Sequence, residues 1–288
     1  VATTARYRRM QKAKKRKKGL WKLRKTAGRR IAKNVFAAGI LPAAEYGAEV
    51  NGFTDQQLLS LQKIGAAATA SAISGRSLTA TRLVHGDPTW RAAIAPAARW
   101  QKEVWRAKAH DHGSVQSVSS GQGKAKAMFS MRQLDNAWTA AHAAQHEWFR
   151  DDGTPYWPGV RGPIGASFLS LQRIGWNPIS ATSWIDDNGI LLNLADYSPK
   201  MFKGILFRAV RRHTERVFAT ACGDDDFAGK RASTDLIAEV LNSSKHSHAE
   251  KATVAALATN AIWTRKRFKD SGYEVDDENC ELCGMEPD

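Results

Sequence analysis

The first 33 residues carry fifteen lysines and arginines and no acidic residue. No other feature constrains the fold as strongly, because a run of like charge repels itself unless anions neutralise it. The stretch from Arg6 to Lys25, R-Y-R-R-M-Q-K-A-K-K-R-K-K-G-L-W-K-L-R-K, still consists mostly of good helix formers. It is expected to be helical when bound to a polyanion and frayed when free. The net charge of +15 belongs to this segment alone, since the 28 basic residues beyond Lys33 are matched by 28 acidic ones.

So one-sided a charge exceeds an ordinary solvated face and points to nucleic acid, RNA or an RNA/DNA duplex. Neutralising roughly six to ten phosphates would make affinity fall ~10³- to 10⁵-fold between about 50 and 200 mM salt. The candidate contacts are Arg6, Arg8, Arg9, Lys12, Lys14, Lys15, Arg16, Lys17, Lys18, Lys22, Arg24, Lys25, Arg29 and Arg30. Trp21 lies between cations without an apolar neighbourhood and suits stacking on a base or sugar. The same basic cluster can serve as a nuclear import signal, which gives an intracellular, nuclear expectation.

The remainder can bury a real core: the chain has 288 residues, 43% of them hydrophobic. No apolar run approaches a membrane span, and the N-terminus lacks the apolar core of a secretory signal. Three cysteines, Cys222, Cys280 and Cys283, are too few and too uneven for a disulfide framework. A start at Val1 and a C-x-x-C five residues from the end give the expectation of a piece of a longer protein.

Apolar periodicity predicts a mainly α fold, bundle-like, with one small β-hairpin. A helical pattern around Val35, Phe36 and Ile40 is expected to be interrupted at Leu41 and Pro42. Thr54 with Gln57 reads as a capping box opening a helix with Leu58, Leu61 and Ile64 on one side. Asp87 and Pro88 read as the start of a helix to about Ala109, with Trp100 and Trp105 in the core. The Ser/Gly-rich segment 110–125 reads as a linker. Further helices are expected from about Lys126 to Phe149, carrying Met128 and the core residue Trp138, and over Ile164–Ile174, Pro199–Ala221, Ser233–Leu241 and Ala249–Lys269. There is no internal repeat. The regions are then 1–33, basic and nucleic-acid-contacting; 34–109, helical; the linker; 126–275, helical with a hairpin near 182–194; and 276–288.

The hairpin carries the one stretch that suggests catalysis, S-W-I-D-D-N-G-I-L-L from Ser183 to Leu192. An aromatic, one residue and two aspartates is the pattern that holds metal ions in some polymerases. Two-metal phosphoryl transfer, however, needs carboxylates converging from several strands. Asp-Asn-Gly is also a simple turn sequence. Asp186 and Asp187 are therefore expected to hold a turn and no metal, so that Asn at both changes stability by less than ~1 kcal/mol.

No catalytic residue is assigned. His142 and His146 lack a third ligand, and His246 and His248 lie in a polar loop entering a helix. Cys222 reads as packing. C-E-L-C-G, Cys280 to Gly284, supplies half of a tetrahedral zinc site.

Several stretches together resemble one family. L-P-A-A-E-Y-G-A-E-V-N-G, Leu41 to Gly52, is similar to the thumb element that follows the palm of non-LTR retrotransposon reverse transcriptases. Val50 takes the apolar place after the glutamate, and Asn51 stands where the family carries an aromatic. H-G-D-P (His85–Pro88), V-R-G-P-I-G-A (Val160–Ala166), L-Q-R-I-G-W (Leu171–Trp176), the hairpin, I-W-T-R-K-R-F (Ile262–Phe268), G-Y-E-V-D (Gly272–Asp276) and C-E-L-C-G follow the order of retroelement polyproteins. The resemblance implies a non-catalytic thumb and connection on the template–primer backbone, ending in the first half of a zinc knuckle. Its remaining zinc ligands would lie beyond the chain end, with a ribonuclease H domain downstream. The RNA-directed DNA polymerase domain, with its catalytic aspartates and magnesium, would lie upstream. Two other readings stay open: a stand-alone basic helical RNA- or DNA-binding packaging or chromatin protein, and a helical interaction scaffold with an import signal.

Overall fold

The computed structural model describes residues 2–70, 76–111, 129–221 and 234–259, isolated positions 269, 272 and 274, and side chains from Tyr7 onward. Most of the expected linker, the Arg6 side chain, Met128, Cys222, the far half of the last expected helix, Cys280 and Cys283 lie outside the described residues.

Helix α1, Ala2–Val35, is docked on the protein rather than standing free. Met10, Ala13 and Leu20 share one face and are buried, and Ala32 and Phe36 continue the seam. Lys17 has nearly the same angular position but stays exposed, so the contact has a gap. The seam lies mainly against α4, Asp55–Thr69, where small residues allow close approach. A Cβ on Gly65 would sit 2.9 Å from the Pro88 ring and 3.3 Å from that of Phe36. Within α1 the chain turns at Gly28, whose φ of 86° and ψ of 166° are open essentially to glycine alone.

The expected interruption at Leu41 and Pro42 does not end the helical path. A π-helical turn, Phe36–Ile40, leads straight into α2, Leu41–Glu45. The Leu41 N–H donates to the Phe36 carbonyl, and this widened turn accommodates a proline that has no N–H and would clash in a regular helix. After a left-handed Gly47 comes α3, Ala48–Asn51. Gly52, at φ 59°, lies so close to Trp157 that a Cβ would come within 2.5 Å of the ring. The expected capping box of α4 is present, with Gln57 N–H donating to Thr54 Oγ1 at 3.2 Å and Thr54 N–H to Gln57 Oε1 at 3.2 Å.

Helix α5, Leu78–His85, is followed by α6, Trp90–Ala93, and α7, Ala95–Asp111. The single helix expected after Pro88 is thus two, because Pro96 cannot donate into the preceding turn and the path breaks at Ile94. Trp100 is buried, but Trp105 is 38% exposed, a correction to its expected core position. Five residues on, it points about 140° round the helix from Trp100. Helix α8, Met131–Ala143, also corrects the longer helix expected there. It starts at a Ser130/Gln133 capping box and is followed by a 3₁₀ turn, Gln145–Trp148. Trp148 then packs so tightly on Gly165 that a Cβ there would lie 2.8 Å from its ring.

Helix α9, Pro163–Gln172, leads into a three-stranded antiparallel sheet of β1, Asn177–Pro178, β2, Ser183–Ile185, and β3, Leu191–Asn193. The expected hairpin is β2–β3, with Trp184 opposite Leu192. Strand β1 is an addition, two residues long and containing a proline. Helix α10, Pro199–Ala221, matches its expected limits, and α11, Asp235–Asn242, and α12, His248–Ala258, follow. The fold is mainly α with one small sheet, as expected, and one continuous buried core extends from Met10 to Val210.

If the seam holds α1, Leu20→Ala should lower stability by about 2–4 kcal/mol. Lys17→Ala, one turn earlier, should change it by less than about 0.5 kcal/mol. Urea unfolding of the two variants measures both.

Candidate nucleic-acid interface

Of the α1 cations singled out from the sequence, Arg8, Lys12, Lys14, Lys15, Arg16, Lys17, Lys18, Lys22, Lys25, Arg29 and Arg30 are exposed. Arg9 and Arg24 are half-buried. Among the described residues none of these cations forms an ion pair with a carboxylate. Elsewhere the surface is conventionally paired, as at Arg99 with Glu103 (2.9 Å) and Lys108 with Asp196 (2.8 Å). Trp21 is half-buried, and the Lys25 ammonium lies 4.0 Å from its ring centroid, covering one face.

Where α1 passes α5 the positive charge is concentrated. The His85 imidazole is pushed down to about 4, first by burial and then by the nearby charges of Arg29, Arg76, Lys33 and Arg24. Burial also lowers Arg24. Among the described residues its Nε has no hydrogen-bond partner, and His85 Nδ1 is likewise unpartnered. Cations desolvated side by side are costly, and an anion bound among them offsets that cost. The sequence places Arg24 and Arg29 on this surface but gives no sign of His85 or Arg76, which approach only through the α1–α4–α5 packing.

The two aspartates of the hairpin have separate duties. Asp186 Oδ1 accepts from the backbone N–H of Asn188 (2.8 Å) and of Ile190 (2.9 Å), and so builds the expected turn. Asp187 is a central residue of that turn by backbone, closed by the Gly189 N–H donating to the Asp186 carbonyl at 3.0 Å, but its side chain points to other partners. Its carboxylate, 2% exposed, accepts from Trp176 Nε1 (3.0 Å), from Arg212 Nε (2.7 Å) and Nη2, and from Arg216 Nη1 (2.8 Å). Burial alone would raise this carboxyl, but the hydrogen bonds from Arg212, Arg216 and Trp176 outweigh it and hold it well below the usual carboxylate range. Arginine occupies the positions where metal ions would have to sit. Among the described residues no three His, Cys, Asp or Glu side chains converge as a metal site requires.

A cleft of about 550 Å³ opens beside α2 and α3, and the Leu41–Gly52 element supplies one wall of it. Glu45 faces this cleft. Its Oε1 is buried without a hydrogen-bond partner among the described residues, and desolvation pushes the carboxyl up to about 7 against the opposing pull of Arg91. Among the described residues no helix is long and apolar enough to cross a membrane.

Compared with protein-family models, with curated proteins and with solved structures, the chain has no significant match.

Two outcomes follow from the buried acids. Asp187→Asn removes the hydrogen-bonded charge partner that Arg212 and Arg216 share, leaving Arg212 only the more distant Asp186 at 3.7 Å, and should cost about 3 kcal/mol, whereas Asp186→Asn keeps the turn's acceptor and should cost about 1 kcal/mol. The joint change expected from turn chemistry alone is therefore too small. Because the folded pKa of Asp187 is depressed, its contribution is present above the unfolded value near 3.9 and is lost as pH falls below it. Glu45 has the opposite sign: its folded pKa is raised, so its stabilisation is present below about 4.5 and is lost as pH rises to about 7. Glu45→Gln should therefore become progressively more stable than the parent between these values, as thermal unfolding at a series of pH values will measure.

Proposed function

We propose that this chain is a nucleic-acid-binding element without catalytic groups of its own, contacting the phosphate backbone of RNA or an RNA/DNA duplex through the exposed face of α1. The observation that carries the reading is the pairing of two properties. The cations of α1 have no carboxylate partners among the described residues, and the helix bearing them is fixed by a buried apolar seam. A fixed row of cations binds a polyanion without first having to be ordered, which lowers the entropic cost of association. Such contacts read charge and position rather than base sequence.

The Leu41–Gly52 element supports the more specific reading of a thumb and connection from a retroelement reverse transcriptase. In that setting the polymerase aspartates and their magnesium, the completed zinc knuckle and a ribonuclease H domain belong to other parts of the polyprotein. The thumb would lay α1 along the template–primer duplex.

Deleting residues 1–33 is not a clean test, because it also removes Met10, Ala13, Leu20 and Ala32 from the core. The better variant replaces the exposed Lys14, Lys15, Lys17 and Lys18 by Gln. Its stability should stay within about 1 kcal/mol of the parent. Its affinity for duplex RNA and DNA should drop at low salt, and the slope of log affinity against log salt should shrink by about 1 for each phosphate that is no longer neutralised. Unchanged affinity and slope would remove α1 as the binding surface.

A further inference from the structure

The cleft beside the Leu41–Gly52 element has a composition that backbone binding does not use. Its wall is apolar, formed by Trp90, Ile94 and Ala98 on one side and Val50 on the other. Trp90 is held in place edge-on by Phe207, with ring centroids 5.1 Å apart. Glu45 brings its unpartnered Oε1 to the same space. Around it stand Arg91, Arg99, Lys102 and Lys203. Arg99 is occupied by Glu103 at 2.9 Å and Glu49 at 3.6 Å. Lys102, on α7, and Lys203, on α10, form no close ion pair among the described residues, although the charge of Glu49 acts on Lys102.

Three kinds of group therefore meet in one cleft: an apolar surface with an aromatic ring, the acids Glu45 and Glu49, of which Glu49 is engaged by Arg99, and a pair of ammonium groups that form no ion pair among the described residues. Its volume of about 550 Å³ falls within the range of small-ligand sites, roughly 300–1,000 Å³. A nucleotide presents the complementary set, a flat base with polar edges and a phosphate. Whichever protonation state Glu45 takes, it finds a partner on a base edge. The carboxylate accepts from an exocyclic amino group, and the acid donates to a ring nitrogen or carbonyl.

The cleft also adjoins the basic helix. Tyr46 lines it and is 74% exposed, and the Arg9 guanidinium of α1 lies 5.1 Å from the Tyr46 ring centroid. A strand following α1 therefore passes the entrance.

We infer that this cleft receives one unpaired nucleotide of the strand bound along α1, with its base against Trp90 and Ile94, its polar edge at Glu45 and its phosphate between Lys102 and Lys203. The inference rests on the α1 reading. It adds a preference for nucleic acid that offers an unstacked base, which charge alone does not confer.

The test uses the full 288-residue chain and three RNA probes at one salt concentration. These are a blunt duplex, the same duplex with a short adenosine tail, and the same duplex with an abasic tail of equal length and charge. The adenosine tail should bind at least about fivefold tighter than the abasic one, the lower end of what one stacked base contributes. Ala98→Trp, which fills the cleft, should abolish that difference while leaving blunt-duplex affinity within about twofold. Lys102→Gln with Lys203→Gln, which does not crowd the core, should weaken the adenosine-tailed duplex more than the blunt one, because the tail's phosphate loses its two ammonium partners. Equal affinity for the two tails, with the blunt duplex still bound, would overturn the nucleotide site and leave the α1 reading standing. Failure to bind any of the three would remove both. Saturation by adenosine monophosphate alone, without a tail preference, would assign the cleft to a free nucleotide and overturn the strand as its source.

Discussion

A helix with fifteen cations in its vicinity and no anion can be held on a protein only through its few apolar side chains. Here those are Met10, Ala13 and Leu20, followed beyond the Gly28 turn by Ala32 and Phe36, all buried largely against α4. Apolar burial contributes about 25 cal/mol per Å², so a handful of such residues can hold in place a helix whose charges would otherwise favour solvent and disorder. The seam depends in turn on α4 being narrow. Gly65 leaves room for Phe36 and Pro88, and α4 itself is set by the Thr54 capping box. The functional reading therefore depends on a packing contact: without the seam the cations would belong to a tail, and with it they form a surface of fixed shape.

Two polar centres, each built on one largely buried charged side chain, hold the remaining elements to this frame. Arg173, after α9, donates from Nε to Asp55 (2.7 Å), from Nη2 to the Phe53 carbonyl (2.6 Å) and from Nη1 to the Ala93 carbonyl (3.1 Å). It thereby joins the start of α4 to the end of α6, and Trp157 lies 5.2 Å from its guanidinium. Asp187 plays the reciprocal role, an acid that fixes the hairpin to α10 through Arg212 and Arg216. Buried ion pairs are weak evidence for net stability, but breaking one is costly and their geometry is specific. Both centres bridge segments distant in sequence, and both sit where irregular chain would otherwise leave carbonyls or N–H groups unpaired. Near these centres Trp176, Trp184 and Phe202 pack edge-to-face at centroid separations of 5.9–6.5 Å.

Local chemistry was legible where it was self-contained. The Thr54 box, the limits of α10, the hairpin turn at Asp186 and the polar loop of His246 entering α12 all rest on contacts within a few residues. The missed features divide into two kinds. The Ser130/Gln133 box and Pro96 were present in the sequence and mark the true start of α8 and of α7. The charge role of Asp187 had no local signal, because Arg212 and Arg216 stand 25 and 29 residues further along the chain, whereas β1, paired with the nearby β2, and the exposure of Trp105, about 140° round the helix from Trp100, are decided close by.

The sequence by itself determined that the chain is mainly helical and that its excess charge lies in one segment, because helix propensity and net charge are properties of consecutive residues. Tertiary structure alone decided whether that segment is a loose tail or a docked surface, since the outcome depends on how closely α4 lets Phe36 and Leu20 approach. It also decided which of two adjacent aspartates makes a turn and which neutralises two arginines. The same holds for the cleft. Glu45, Trp90, Lys102 and Lys203 are scattered over more than 150 residues, and only the packing of α2, α6, α7 and α10 brings a buried acid, an aromatic wall and two ammonium groups to one place.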